Sequence, residues 1–182
     1  MKAKFSAMEI ANFYVQLVET IPGDSIDNLK LNKILYYAQG WSLALFDRPL
    51  FEDKIEAWEY GPVIPEVYRA YKVCGRRSIE DPENSFDESI LSTDELNLLI
   101  DVYTNYGQYT GVALMNKTHE PGTPWSRVFE EGKNKEINQK DIAEYFKKRK
   151  GTFERFHADE LNMPTVSAVP LEWDSPEDSV YG

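Results

Sequence analysis

The chain has 182 residues, 42% of them hydrophobic, 13% aromatic and 28% charged. That suits one sizeable packed domain, with or without an extension, and is too short for two ordinary ones. Its formal net charge of −11 opposes the approach of phosphate backbones, whose binding draws on Lys and Arg, so nucleic acid is not an expected partner. The same field favours encounter with a basic protein surface. No apolar run approaches the roughly 20 residues of a membrane span, so no membrane partner is expected. The first residues, broken by Ser6, Glu9 and Asn12, lack an uninterrupted signal-type apolar stretch. A single cysteine, Cys74, excludes an internal disulfide framework and fits a reducing compartment, with the cytoplasm as the expected location.

In chain order, Ser6 with Glu9 makes a capping-box pattern ahead of Ile10, Ala11, Tyr14 and Leu17 at helical spacing, and Pro22-Gly23 ends that helix. The next segment, DNLKLNKILYYAQGWSLALF, is apolar on nearly every face and is expected to be the central helix. Gly40 in its middle costs roughly 1 kcal/mol relative to Ala, which predicts close approach by a neighbour. Lys30 and Lys33 interrupt the apolar surface near its start.

After Pro49, Ile55 and Ala57 alternate with Glu56, Trp58 and Tyr60, the period of a strand, and Glu52-Asp53-Lys54 is expected to turn a short hairpin. Gly61-Pro62 is expected to stop the strand, because proline cannot donate to a ladder. Trp58 is expected to face the core, with Tyr60 on its side of the strand. Pro65 reads as the first residue of a helix over Glu66 to Lys72, and Cys74 to Leu91 as a loop. Ser92 with Glu95 opens another helix, Thr110 caps a short one, THEPGTPW feeds a helix from Pro124, and Asn138 starts the next. The basic run KKRKGTFER reads as a solvated helix end.

Residues 157–182 carry six acids and no Lys or Arg, which makes them a Pro- and Ser-rich acidic extension to a domain over residues 1–156. The fold class expected is mainly α: a compact helical bundle with a short β-hairpin or strand element near residues 50–60.

Chemical sites are sparse. His119 beside Glu120 offers an acid/base pair and Cys74 a nucleophile, but no spacing brings them together. One Cys with His119 and His157 does not supply a zinc set, and the scattered glycines make no phosphate loop. No catalytic residue, metal or cofactor is assigned. His119 is expected to make a loop hydrogen bond that fixes the turn before Trp125. For Trp58, Tyr60 and Trp125 two readings stand, core packing around a Gly-Pro corner and aromatic anchoring of a partner.

The blocks LKLNKILYYAQGW, PLFEDKIEAWEYGPVIPEVYRAYK, YGQYTGVAL, THEPGTPW and INQKDIAEYF occur in the order found in the Panacea domain. Over about residues 5–150 the chain therefore resembles the SocA-like antitoxin family, also described as phage-associated GepA-like proteins. The pairing of AWEYGPV with a downstream TH-x(4)-PW carries the resemblance. It implies a non-enzymatic helical protein that neutralises a co-encoded toxin by direct binding, with alarmone-synthetase-like and Fic-like enzymes among the toxins the family meets. One branch instead delivers its toxin to the ClpXP protease. The alternative in another class is an enzyme using His119. The candidate partner-binding residues are Tyr60, His119, Trp125, Trp173 and Tyr181, the last two on the acidic extension, where Trp173 would anchor and the carboxylates would imitate phosphates.

Overall fold

A computed structural model describes residues 3–156 of the chain. The expectations for residues 157–182, Trp173 and Tyr181 among them, lie outside the described residues. Those described form seven α-helices and one small antiparallel sheet, the mainly helical fold expected.

Helix α1 (Ala7–Glu19) starts with the expected capping box. The Glu9 amide donates to Ser6 Oγ at 3.2 Å, and the Ser6 amide donates to Glu9 Oε2 at 2.7 Å. These bonds satisfy amides that a helix start otherwise leaves open. Helix α2 (Asn28–Phe46) is capped by Asp27, whose carboxylate accepts from the Lys30 amide at 2.7 Å. Every residue from Leu31 to Ala44 is buried, because α2 is covered by α1, α4 (Thr93–Tyr106), α5 (Gly111–His119) and α7 (Gln139–Lys147). A helix apolar all round is stable in water only under such cover.

Gly40 is where α7 closes on α2. A β-carbon there would lie 2.3–2.6 Å from the Phe146 ring. That ring is itself fixed by edge contacts with Tyr36, Tyr37 and Trp41 at centroid distances of 5.6, 5.9 and 5.0 Å. The glycine is therefore used for interhelical approach, as its position in the sequence suggested.

The strands differ from expectation. β1 (Glu56–Trp58) pairs antiparallel with β2 (Gly61–Val63), with Trp58 opposite Gly61, so the hairpin turns at Glu59-Tyr60 and not at Glu52–Lys54. Gly61-Pro62 continues the sheet as its second strand. β2 is an edge in the order β2-β1-β3, where a residue without an N–H is tolerated. β3 (Lys135–Glu136) pairs with the other side of β1; two charged residues carry no alternation by which to read it.

The face assignment of Trp58 is also corrected. Ile55 and Ala57 are buried while Glu56 and Trp58 are only partly so, so the aliphatic residues take the core side and Trp58 the outer one. One parity of a strand can face the core, and here the aliphatic side chains occupy it. Helix α3 (Pro65–Ala70), with proline in its first turn, and α6 (Pro124–Val128) complete the described fold.

Gly40→Ala should lower stability by about 1–3 kcal/mol, the usual cost of overpacking, despite the better helix propensity of Ala. Urea unfolding measures this, and adding Phe146→Leu to the same chain should restore part of the loss.

Candidate functional site

Three polar side chains inside α2 serve the backbone of residues 50–64. Gln39, fully buried, accepts from the Leu50 and Phe51 amides at 2.8 and 3.3 Å and donates to the Phe51 carbonyl at 2.8 Å. Asn32 accepts from the Ile64 amide at 2.9 Å, and its own amide group is held by Asn28 at 2.9 Å. Lys33, at 0% exposure, donates from Nζ to the Pro62 carbonyl at 2.9 Å. An irregular segment with buried amides and carbonyls needs such partners, since each one left unpaired costs about 1–3 kcal/mol.

The same corner meets α5 and α6. Gly61 has φ +97°, and a β-carbon on it would lie 2.6 Å from Lys33 Cε and 2.8 Å from Thr118 Oγ1. Only glycine suits both the conformation and the space. Thr123 caps α6 and donates from Oγ1 to the Thr118 carbonyl at 2.6 Å. Trp125 stacks on His119 at 3.8 Å with the planes 5° apart, and its Nε1 donates to the Trp58 carbonyl at 2.8 Å. One hydrogen bond and one backbone approach thus join the stretch around Trp58-Gly61 to the stretch from Thr118 to Trp125, which are about sixty residues apart in sequence.

Residues 31–126, just over half of the chain, match the family described as "Antitoxin SocA-like, Panacea domain". The chain belongs to this family. It is similar to "Antitoxin SocA" of Caulobacter vibrioides (strain NA1000 / CB15N), 32% identical over 116 residues that cover 57% of this chain and 60% of that relative. The likeness therefore spans less than two thirds of the relative's length. No solved structure matches the chain. The family match begins within α2 and ends within α6, so it encloses the whole Lys33–Gly61–Thr118–Trp125 junction of the Panacea domain.

The Panacea domain places the candidate residues differently from one another. Tyr60, at the hairpin tip, is 60% exposed. Trp125 is 7% exposed and spends its indole N–H inside the fold, in agreement with core packing. His119 ends α5 and is held by the Trp125 stack; its Nε2 is buried and has no hydrogen-bond partner among the described residues. A ring stack, and not the expected loop hydrogen bond, is what ties it to the turn. Burial, and then the Lys33 charge, push the imidazole pKa down, so it is biased toward the neutral form.

Cys74 closes a short turn after α3, and no hydrogen bond joins it to His119 among the described residues. Those residues include no group of three or more His, Cys, Asp or Glu placed to hold a metal ion. No described helix is long and apolar enough to cross a membrane. Sequence reasoning noted Lys33 as an interruption but missed the roles of Asn32 and Gln39. The available signal was polarity itself: a buried amide on an otherwise apolar helix must have a partner.

Burial pushes the Lys33 pKa down from 10.5 to about 7, against the opposing pull of Asp27. The neutral amine can still donate to Pro62, so the hydrogen bond survives deprotonation. Between pH 7 and 10 the unfolded chain holds the lysine proton and the folded chain does not. Stability should therefore rise with pH across that window, by up to about 1.4 kcal/mol per unit. In Lys33→Met this rise should vanish, so the stability difference between wild type and variant should itself change across that window, as chemical denaturation at several pH values reads directly.

Proposed function

We propose that this chain is the antitoxin of a toxin–antitoxin pair and neutralises a co-encoded protein toxin by binding it directly, in the cytoplasm. Membership of the SocA-like antitoxin family carries the reading. The matched residues include the backbone braced by Lys33, Asn32 and Trp125, from α2 through the hairpin to α6. A braced frame suits recognition, because surface groups held in one geometry lose little entropy on binding. Of the candidate contact residues on the described part of the chain, Tyr60 offers the most exposed aromatic ring. The burial of His119 Nε2 and the stacking of its ring on Trp125 support a packing role for this side chain over the enzyme reading.

The experiment is co-expression with the product of the neighbouring reading frame. That product alone should arrest growth, and this chain should restore it. Failure of either half removes the antitoxin reading. Rescue should persist in cells lacking ClpXP, as occlusion by binding requires; rescue that depends on the protease would make the chain an adaptor instead. His119→Gln should keep most of the rescue, since the proposed binding does not use the imidazole as a base.

A further inference from the structure

One face of the sheet is partly open to solvent along β1 and β3, while Val63 of β2, opposite Glu56 on that face, is buried. Glu56 stands directly opposite Glu136 in the β1–β3 register, and Trp58, two residues along β1, shares their side. Like charges opposed across a strand pair destabilise it. The Lys54–Glu136 contact at 3.2 Å, with side chains 70% and 53% exposed, offsets little of this in water. Trp58 is opposite Gly61 in the β1–β2 register, so no side chain of β2 lies across from its ring. The indole is nonetheless held in place, donating from Nε1 to Glu56 Oε2 at 2.8 Å and meeting Tyr68 edge-on at 4.9 Å. Beyond it, the two-residue turn presents exposed Glu59 and Tyr60. The face thus combines a fixed, partly exposed indole, an exposed phenol on a tight turn, and carboxylates.

We propose that this outer sheet face, with Tyr60 at its tip, is the docking surface for a basic segment of the protein partner. The segment's Arg or Lys side chain enters between Glu56 and Glu136 and lies against Trp58, while Tyr60 packs beside it. The identity of that partner as a toxin rests on the neutralisation reading above; the chemistry of the surface does not. A guanidinium offers donors to both carboxylates and a flat cation for the indole face. It would also relieve the Glu56–Glu136 repulsion, a gain made only in the complex. Tyr60, on a register-fixed turn, loses little freedom on binding and has the character of an interface anchor. The chain's charge of −11 would raise the encounter rate with such a segment.

The test uses the full chain, Tyr60→Ala, and the double variant Glu56→Gln with Glu136→Gln. Each is titrated by calorimetry into the purified neighbouring gene product that the wild-type chain suppresses. Tyr60→Ala should bind at least tenfold more weakly with an unchanged melting temperature. The double Gln variant should also lose at least tenfold and most of its salt dependence, while melting at the same temperature or higher. Wild-type affinity in both variants would overturn the proposal, as would a wild-type dimer that Tyr60→Ala converts to monomer, since a second copy would then cover the face. A nona-arginine peptide provides a probe that does not depend on the toxin. It should shift the Trp58 indole N–H resonance in the wild-type chain and not in the double Gln variant, and no shift in the wild type would sink the proposal. If the wild-type chain suppresses no neighbour, the neutralisation reading fails alone and the peptide titration still decides the surface.

Discussion

The hydrogen bonds from the buried polar side chains of α2 to the backbone of residues 50–64 are the constraint on which the rest of the structure depends. That segment carries only two three-residue strands, too few to pair its own buried amides and carbonyls. Gln39 acts toward Leu50 and Phe51 much as a neighbouring strand would, donating and accepting at once. Asn32 accepts from the Ile64 amide and Lys33 donates to the Pro62 carbonyl, one bond each. Without these partners the corner would carry several unsatisfied buried groups, a penalty comparable to the whole net stability of a small domain.

The same bonds set the position of everything built on the corner. Lys33 pins β2, and β2 fixes the hairpin register from which the Glu59-Tyr60 turn projects. Gly61 lets Thr118 approach, and the Trp125 indole closes the hairpin against α6 through the Trp58 carbonyl. The family match covers this assembly. A fold whose surface serves recognition benefits from a hairpin that neither slides nor frays, since a one-residue slip would exchange the inner and outer faces of β1. Burying the Lys33 amine is the energetic cost of this arrangement, visible in its lowered pKa. Burial of the imidazole, and then the nearby Lys33 charge, explain why His119 is biased away from the charged form.

Much was legible in the sequence because it depends on neighbours in the chain. The Ser6–Glu9 and Ser92–Glu95 capping boxes, the caps at Thr110 and Asn138, and the proline opening α3 are contacts within one turn of helix. The central place of α2 followed from its lack of a polar face, and the close approach at Gly40 from the glycine's position inside it. The paired motifs identified the family.

Tertiary structure decided what depends on residues distant in sequence. Pairing placed the turn at Glu59-Tyr60 and made Gly61-Pro62 a strand, because an edge position tolerates proline. The core claimed Ile55 and Ala57 and turned Trp58 outward, the reverse of the face expected from the sequence. Trp125 and Tyr60, equal candidates in the sequence, separated into a buried ring with an internal hydrogen bond and an exposed one. Local caps and periodicity are properties of a few successive residues and can be read in order. The face a strand buries, and the partner a buried lysine or glutamine finds, are set by segments brought together only when α2 is surrounded.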